Sequence, residues 1–416
     1  MLIKHLSLTG FRNYSRLELD LAPETTILHG DNAQGKTNLL ESIYYLATTR
    51  SPYSDSDQQI INWGINVPEE SVVVSRLVAV IESENGSEKT SKSQETKNQK
   101  TIELRLIREN RNGASSFRRE AVIDRRKVRL IDLLGNLRVV LFLPSDLELI
   151  TGSPSARRRY IDITLCQTDS VYCKTLSDYN KLLEQRNAAL KSVAEKGRGR
   201  EVIRILSERL AQHAAEIFAH RSAFITGLSQ VTSQIHYEKL TSGKETSMLG
   251  YLPKLHSTKS ERNKDNMSEV LKQSEWLATN VDDRNLIAKR FEEILQLTLD
   301  RDLASGNTGV GPHRDDWHFW VSGRSLAKFG SRGQQRTAML ALKLAEIKRV
   351  TGVTGEKPVL LLDEVASELD RKRRDLLLEQ VKHSGQALLT TTDLDIFPET
   401  FLQDCTTLSV ENGYIS

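Results

Sequence analysis

A discontinuous α/β fold is predicted, in which a mixed β-sheet lobe built from both ends of the chain is interrupted by a mainly α-helical lobe. Three observations predict it. Apolar strands near the N-terminus run into a glycine-rich loop that opens a helix, the middle of the chain changes to long helical periodicity, and near the C-terminus an unbroken apolar run ends in two carboxylates.

Leu2 to Leu8 and Leu17 to Leu21 read as strands around a turn at Gly10 to Tyr14, and Thr26 to His29 as a third strand. Lys36 to Thr48 has the apolar spacing of a helix. Val72 to Ile81 and Ile102 to Ile107 read as strands, but Glu82 to Thr101 between them holds no apolar residue and is expected to be a disordered hairpin insertion. From Gln167 to His236 the pattern turns helical, with Leu176, Tyr179, Leu183, Ile205, Leu210, Ile217 and Phe224 at helical spacing. Each helix there is expected to span at most about thirty residues, or ~45 Å, too short for a long coiled-coil arm. Thr241 to Ser268 reads as polar and loop-rich, Asp282 to Leu299 as a further helix, and the α/β pattern then resumes. The expected segments are 1–150, the first part of a sheet lobe, 151–335, the inserted helical lobe, and 336–416, the rest of the sheet lobe.

A chain of 416 residues with 38% hydrophobic and 27% charged content can bury a large core. The formal net charge of +3 gives a weak overall field, so contact with nucleic acid would have to come from local clusters. Cys166, Cys173 and Cys405 form no C-x-x-C pair and leave an odd thiol, which argues against a disulfide framework or a zinc site and favours a reducing cytoplasm. The first residues lack a basic stretch followed by an apolar core, and the longest apolar runs are strand-length, so neither export nor a membrane span is expected.

Gly30-Asp31-Asn32-Ala33-Gln34-Gly35-Lys36-Thr37 fits G-x-x-x-x-G-K-[ST] after an apolar strand and at the start of a helix. Gly30 and Gly35 let the backbone curl with its N–H groups inward, so loop and helix N-terminus cradle phosphates. Lys36 adds charge at the β- and γ-phosphates, and Thr37 offers a hydroxyl to Mg²⁺. Pro358 to Leu362 is an apolar run delivering Asp363 and Glu364 to the end of a buried strand. With a phosphate loop in the same chain, Asp363 is assigned to the Mg²⁺ shell. Glu364 is assigned as general base or as the residue orienting the attacking water.

Ser331-Arg332-Gly333-Gln334 precedes a helix, Arg336 to Val350, with Leu340, Leu344 and Ile347 on one face. Ser331 and Gln334 form a capping box, which any helix can use. That leaves Gly333 unexplained, since glycine in a first turn costs about 1 kcal/mol relative to alanine. S-x-G-[QE] before a helix, upstream of the acidic strand, resembles the signature motif of ABC-type ATPases. That resemblance implies capping of the γ-phosphate of ATP held by a partner, and hence a homodimer with two ATP molecules between its heads. Ser367-Glu368-Leu369-Asp370 resembles the D-loop of the same class.

Thr9 to Tyr14 (TGFRNY), Gly30 to Leu40 (GDNAQGKTNLL), Gly152-Ser153-Pro154 with Arg157 to Asp162, Gly311 to Asp316 (GPHRDD) and Leu361 to Leu376 (LLDEVASELDRKRRDL) together resemble the RecF family over nearly the whole chain. The fold implied is α/β, a P-loop ABC-type ATPase head (lobe I, a mixed β-sheet core with helices) with an inserted mainly α-helical lobe II. The resemblance implies nucleotide contacts for Arg12, Asn32, Ala33, Gln34, Asn38 and Asp370 as well. It further implies ATP and Mg²⁺ as cofactors, ATP-dependent dimerisation on DNA, slow DNA-dependent hydrolysis, and nucleoid-associated action in the cytoplasm. RecO and RecR are the implied partners in loading RecA at single-strand gaps, with a place in repair, replication restart and SOS induction.

The chain departs from transporter ATPases in two places. Pro144-Ser145-Asp146 holds no glutamine where a Q-loop would stand, and Thr390-Thr391-Thr392-Asp393 stands where transporters carry a switch histidine. Thr392 or Asp393 senses the γ-phosphate, or simply caps a strand end. Arg118-Arg119, Arg125 to Lys127, Arg157 to Arg159 and Arg371 to Arg374 are basic clusters open to two readings, DNA contact or a solvated face paired with nearby acids. The competing functions are a transporter ATPase subunit, the head of another SMC-like chromosome complex, and a small-molecule kinase. A kinase would leave the Ser331 and Ser367 motifs without a task.

Overall fold

Two six-stranded sheets share one helix between them in the part of the chain that carries the glycine loop. The structure, a computed structural model, describes residues 1–54, 56–62, 71–83, 99–111, 114–255 and 267–416. The chain divides into two compact units, Met1–Ser145 with Glu346–Ser416, and Asp146–Ala345.

The first sheet is antiparallel, in the order Tyr14–Asp20, Leu2–Phe11, Ser71–Glu82, Gln99–Arg111, Ala114–Ile123, Arg126–Val128. Its strands alternate as a half-buried sheet must: Ile102, Leu104 and Leu106 are buried, while between them Glu103 takes hydrogen bonds from Arg76 and Arg105. The second sheet runs Tyr414–Ile415, Cys405–Glu411, Thr25–His29, Ala387–Thr391, Val359–Asp363, Val139–Phe142, and only its first pair is antiparallel. Val359–Asp363 and Ala387–Thr391 are buried at every position, which is why Pro358 to Leu362 reads as an unbroken apolar run. The helix Lys36–Thr48 packs against strands of both sheets, so ten of its thirteen residues are buried and it lacks the single apolar stripe of a surface helix.

The insertion expected from Glu82 to Thr101 is paired at its ends, Glu82 opposite Gln99 and Val80 opposite Thr101. Ladder hydrogen bonds use the backbone, so polar side chains do not prevent pairing. Residues 84–98, the remainder of that insertion, lie outside the described residues.

The second unit is built on the helices Pro154–Thr168, Ser170–Lys196, Arg200–Gln234, Met267–Thr279 and Arg284–Leu297. Their ends follow capping chemistry. Ser153 accepts from the Ala156 N–H with Pro154 in the first turn, Asp169 accepts from the Val171 and Tyr172 N–H groups, and Gly197 closes its helix at φ 68°. Arg200–Gln234 has 35 residues, about 52 Å at 1.5 Å per residue and longer than expected. Its buried side carries Ile203, Leu210, Ile217 and Phe224, whereas Ile205 faces solvent. The stretch expected to be loop-rich contains the strand Ser247–Leu252, paired with Asp316–Val321, which in turn pairs with Arg324–Ser325. Its sequence, SMLGYL, is apolar at four of six positions, and the surrounding polar residues masked it.

Candidate functional site

Strand register places the glycine loop and the acidic pair at one edge. Asp363 lies opposite Thr390 on the neighbouring parallel strand, and Thr391 lies opposite His29, the last residue before the loop. Parallel strands end at a common edge, so residues far apart in sequence meet there.

The loop's conformation requires its glycines. Gly30 has φ 146°, and a Cβ there would fall 2.4 Å from the Val410 carbonyl oxygen. Gly35 has φ 116°, and its Cβ would fall 2.5 Å from Asn13 Nδ2. Ala33 also has positive φ, 64°. The loop's outer side is tied down: Asn13 Nδ2 and the Gly413 N–H donate to the Gln34 carbonyl at 3.0 Å each, the Asn412 N–H donates to Gln34 Oε1 at 2.7 Å, and Asn38 Nδ2 donates to Asn13 Oδ1 at 2.8 Å. Tyr14 donates its hydroxyl to the Gly35 carbonyl at 3.0 Å, and burial holds that phenol well above its ordinary pKa, so it remains a donor. Asn32 is exposed.

Inside the loop, Lys36 is buried, with Nζ donating to the Gly30 and Asp31 carbonyls at 2.6 and 3.0 Å and standing 3.4 Å from Glu364 Oε1. Asp363 accepts Thr37 Oγ1 at 2.9 Å and Thr390 Oγ1 at 2.7 Å on Oδ1, and the Tyr53 hydroxyl at 2.6 Å on Oδ2. Thr390 Oγ1 also accepts the Glu364 N–H at 2.9 Å, which helps hold Glu364 at its positive φ of 53°. A glycine loop opening a helix, a buried ammonium, and a carboxylate beside hydroxyls fit a nucleotide's phosphates with a hard cation such as Mg²⁺. No cluster of three or more His, Cys, Asp or Glu suited to a metal exists among the described residues.

The remaining assigned residues are placed as follows. Arg12, at φ 50°, makes a bidentate pair with buried Glu41 at 2.8 and 2.7 Å and donates to the Gln59 carbonyl at 2.9 Å. Asp370 caps the helix Arg371–Lys382, accepting from the Arg373 N–H at 3.0 Å. Thr392 is exposed. Thr391 Oγ1 and the Asp393 backbone close a small turn. In the second unit the Ser331 and Gln334 side chains cap reciprocally: the Gln334 N–H donates to Ser331 Oγ at 3.2 Å and the Ser331 N–H to Gln334 Oε1 at 3.0 Å. Gln334 Nε2 also donates to Glu245 at 2.8 Å, and the Gly333 carbonyl accepts from Thr337. Asp146 lies 4.0 Å from Lys343 Nζ.

Sequence reasoning missed Tyr53, Thr390 and Asn13. Thr390 stands in the threonine run already singled out, but its role depends on strand register. Tyr53 lies in a loop with no pattern to mark it.

Most of the basic clusters are engaged. Arg157 pairs bidentately with buried Asp316, and Arg158 donates to the Asp315 carbonyl. Arg374 donates to three backbone carbonyls, Arg119 pairs with Asp57, and Arg118 and Lys127 pair with Glu120. Arg125, Arg126 and Arg371 are exposed, with side chains that make no hydrogen bond or ion pair among the described residues. No helix among the described residues is long and apolar enough to cross a membrane.

Residues 2–414 match the RecF/RecN/SMC N terminal domain family. The DNA replication and repair protein RecF of Chloroflexus aurantiacus is 39% identical over 428 residues, covering 100% of this chain and 99% of that protein. RecF of Streptococcus pneumoniae is 36% identical over 395 residues, covering 95% and 93%. A solved structure of the recombination mediator protein RecF–ATP in the RecFOR pathway superposes with TM-score 0.79 at 28% identity, covering 100% of this chain and 98% of the other. On this fold and these full-length similarities, the chain belongs to the RecF family of DNA replication and repair proteins, with the α/β fold of an ABC-type ATPase head and a helical insertion.

Proposed function

We propose that this chain is an ATP-gated DNA-binding recombination mediator whose head dimerises when ATP is bound and separates after slow hydrolysis. The observation that carries the reading is the meeting of Lys36 with Glu364 and of Thr37 with Asp363 at one sheet edge. Bound Mg·ATP supplies a phosphoryl group whose transfer to water needs positioning and charge compensation. Lys36 and the loop N–H groups of Gly30 to Asn38 hold the phosphates, and Thr37 and Asp363 hold Mg²⁺. Glu364 takes the proton of the attacking water or orients it. Ser331, Gly333 and Gln334 of a second copy cap the terminal phosphate, with Asp370 and Thr392 at the same junction and Arg12 beside the nucleotide. The exposed Ser331 turn of the second unit supports this, because its cap is complete without occupying that surface. Met1–Ser145 with Glu346–Ser416 is then lobe I, and Asp146–Ala345 is lobe II.

The RecF relatives and the solved RecF–ATP structure of the RecFOR pathway support DNA replication and repair as the setting. Within that setting the proposed DNA is a single-strand gap or single-strand/duplex junction, and the proposed partners are RecO and RecR in loading RecA. Differential affinity for ATP between open and closed dimers makes the switch. Sedimentation of the wild type and Lys36→Ala, each with and without ATP, tests it. The wild type is expected to dimerise only with ATP and the variant not at all. A wild type that stays monomeric, or a variant that dimerises equally well, overturns the gating.

A further inference from the structure

Asp363 is a buried carboxylate whose two oxygens are loaded unequally. Oδ1 takes Thr37 and Thr390, both set by the loop helix and the adjoining strand, and Thr390 is itself locked by the Glu364 N–H. Oδ2 takes a single hydrogen bond among the described residues, the Tyr53 hydroxyl at 2.6 Å. Tyr53 is 43% exposed, in contrast to Thr390 at 2%. Its backbone, however, is anchored. Ser51 Oγ accepts the Tyr53 and Ser54 N–H groups at 3.0 Å each, Ser51 donates to Glu41, and Glu41 holds Arg12 bidentately. The loop is therefore fixed, and it is the partly exposed ring that turns about its own χ angles.

A cation held by Asp363 draws on the lone pairs and charge of Oδ2, and a phenol hydrogen aimed at that oxygen occupies one of its two lone pairs and neutralises part of its charge. We propose that Tyr53 is a positioning residue that guards Asp363, its hydroxyl competing with a divalent cation for Oδ2. The Arg12–Glu41–Ser51 chain sets where that guard stands. Tyr53 thereby lowers the affinity of Asp363 for metal and makes cation capture depend on the further oxygens that a nucleotide's phosphates bring. The inference rests on the reading of Asp363 as the metal-holding carboxylate.

The test is the factor by which Mn²⁺ tightens binding of a fluorescent ATP analogue, measured as the ratio of dissociation constants in EDTA and in Mn²⁺, for the wild type, Tyr53→Phe and Tyr53→Leu. Removing the competing hydroxyl is expected to enlarge that ratio about three- to tenfold in both variants, the range a net hydrogen bond of this kind supports. An unchanged or smaller ratio overturns the guard. So does an equal shift in EDTA, which would place the phenol's effect on the nucleotide rather than on the metal. If the wild type binds no analogue at all, the nucleotide reading falls and this inference with it, whereas binding with an unchanged ratio removes this inference alone.

Discussion

Lys36 Nζ stands 3.4 Å from Glu364 Oε1, so the loop lysine and the residue assigned to activate water neutralise each other. Lys36 is almost wholly buried and Glu364 is about one-third exposed, which leaves the carboxylate free to turn outward once the ammonium is drawn to phosphate. Glu364→Gln keeps the shape but cannot take a proton. Single-turnover hydrolysis is expected to fall by about 10²–10⁴-fold, the usual contribution of a general base. ATP binding persists, and the ATP-dependent dimer outlives that of the wild type in sedimentation. A rapid return to monomer removes Glu364 from the chemical step.

The two loop glycines make a graded prediction. At Gly30 the obstacle is a backbone carbonyl that cannot move without disturbing Cys405–Glu411, and at Gly35 it is the amide of Asn13, a side chain. Both also sit at φ values that a Cβ opposes. Gly30→Ala is expected to weaken ATP-analogue binding by at least about 100-fold, a loss of roughly 3 kcal/mol. Gly35→Ala should be partly restored by Asn13→Ala, and Gly197→Ala, where φ is 68° but no atom lies within 4 Å, is expected to cost only about 1 kcal/mol of stability. Equal losses at all three positions in calorimetry and binding would mean that backbone strain alone matters and the close approaches do not.

These contrasts show what could be read before folding. Gly30, Lys36, Thr37, Asp363 and Glu364 were legible because each side-chain type is demanded by local chemistry at a strand end or helix start. Thr390 was not, because it meets Asp363 only through the register of two parallel strands. Tyr53 meets Asp363 across 310 positions of sequence from a loop without periodicity. Ile205 was misplaced because a helix buried on more than one side has no single phase to extrapolate. The strand Ser247–Leu252 was hidden by polar flanks, although its own residues alternate in burial less than they cluster. The charge runs misled most. Arg157 and Arg374 look like surface arginines in sequence, yet one is buried against Asp316 and the other satisfies three carbonyls.

That difference separates DNA contact from architecture. Arg125 lies in a two-residue hairpin turn, Asp124 and Arg125 both at positive φ, and the turn presents Arg125 and Arg126 to solvent without partners among the described residues. Replacing both by alanine is expected to leave thermal stability within about 0.5 kcal/mol of wild type. It should also lower the slope of log affinity against log salt for DNA by about one per arginine. Arg157→Ala does the reverse, destabilising the fold by about 3–5 kcal/mol because it takes the paired guanidinium from buried Asp316. Against the upward push of burial, hydrogen bonds from His318 and Arg157 hold the Asp316 carboxyl at about 2, so it stays charged at neutral pH. Filter binding over a salt series, with melts of each variant, checks both halves. An unchanged salt slope would exclude the hairpin turn from the DNA surface.

The Gly311–Asp316 block makes the last prediction, through His313. Its Nε2 contacts the Thr308 carbonyl at 2.9 Å and its Nδ1 the Tyr179 hydroxyl at 2.7 Å, an arrangement satisfied by a neutral imidazole donating from Nε2 and accepting at Nδ1. Burial, with the positive charges of Arg314, Arg158 and Arg221, pushes its pKa down to about 4. Between pH 4 and the ordinary value near 6.5 the unfolded chain binds the proton and the folded chain does not. His313 therefore makes stability rise with pH through that window, and its contribution is lost as pH falls from about 6.5 to 4, by roughly 1–3 kcal/mol. Asp315 works in the opposite sense, since burial raises its carboxyl to about 7 against the pull of Arg221. The measurement is therefore the difference in urea midpoint between wild type and His313→Gln at pH 7.5, 6.0 and 4.5. That difference is expected to favour the wild type at pH 7.5 and to shrink or reverse by pH 4.5, because glutamine carries no proton to exclude. A difference that stays constant across the three values would mean that the imidazole is held by packing alone and that its neutrality contributes nothing.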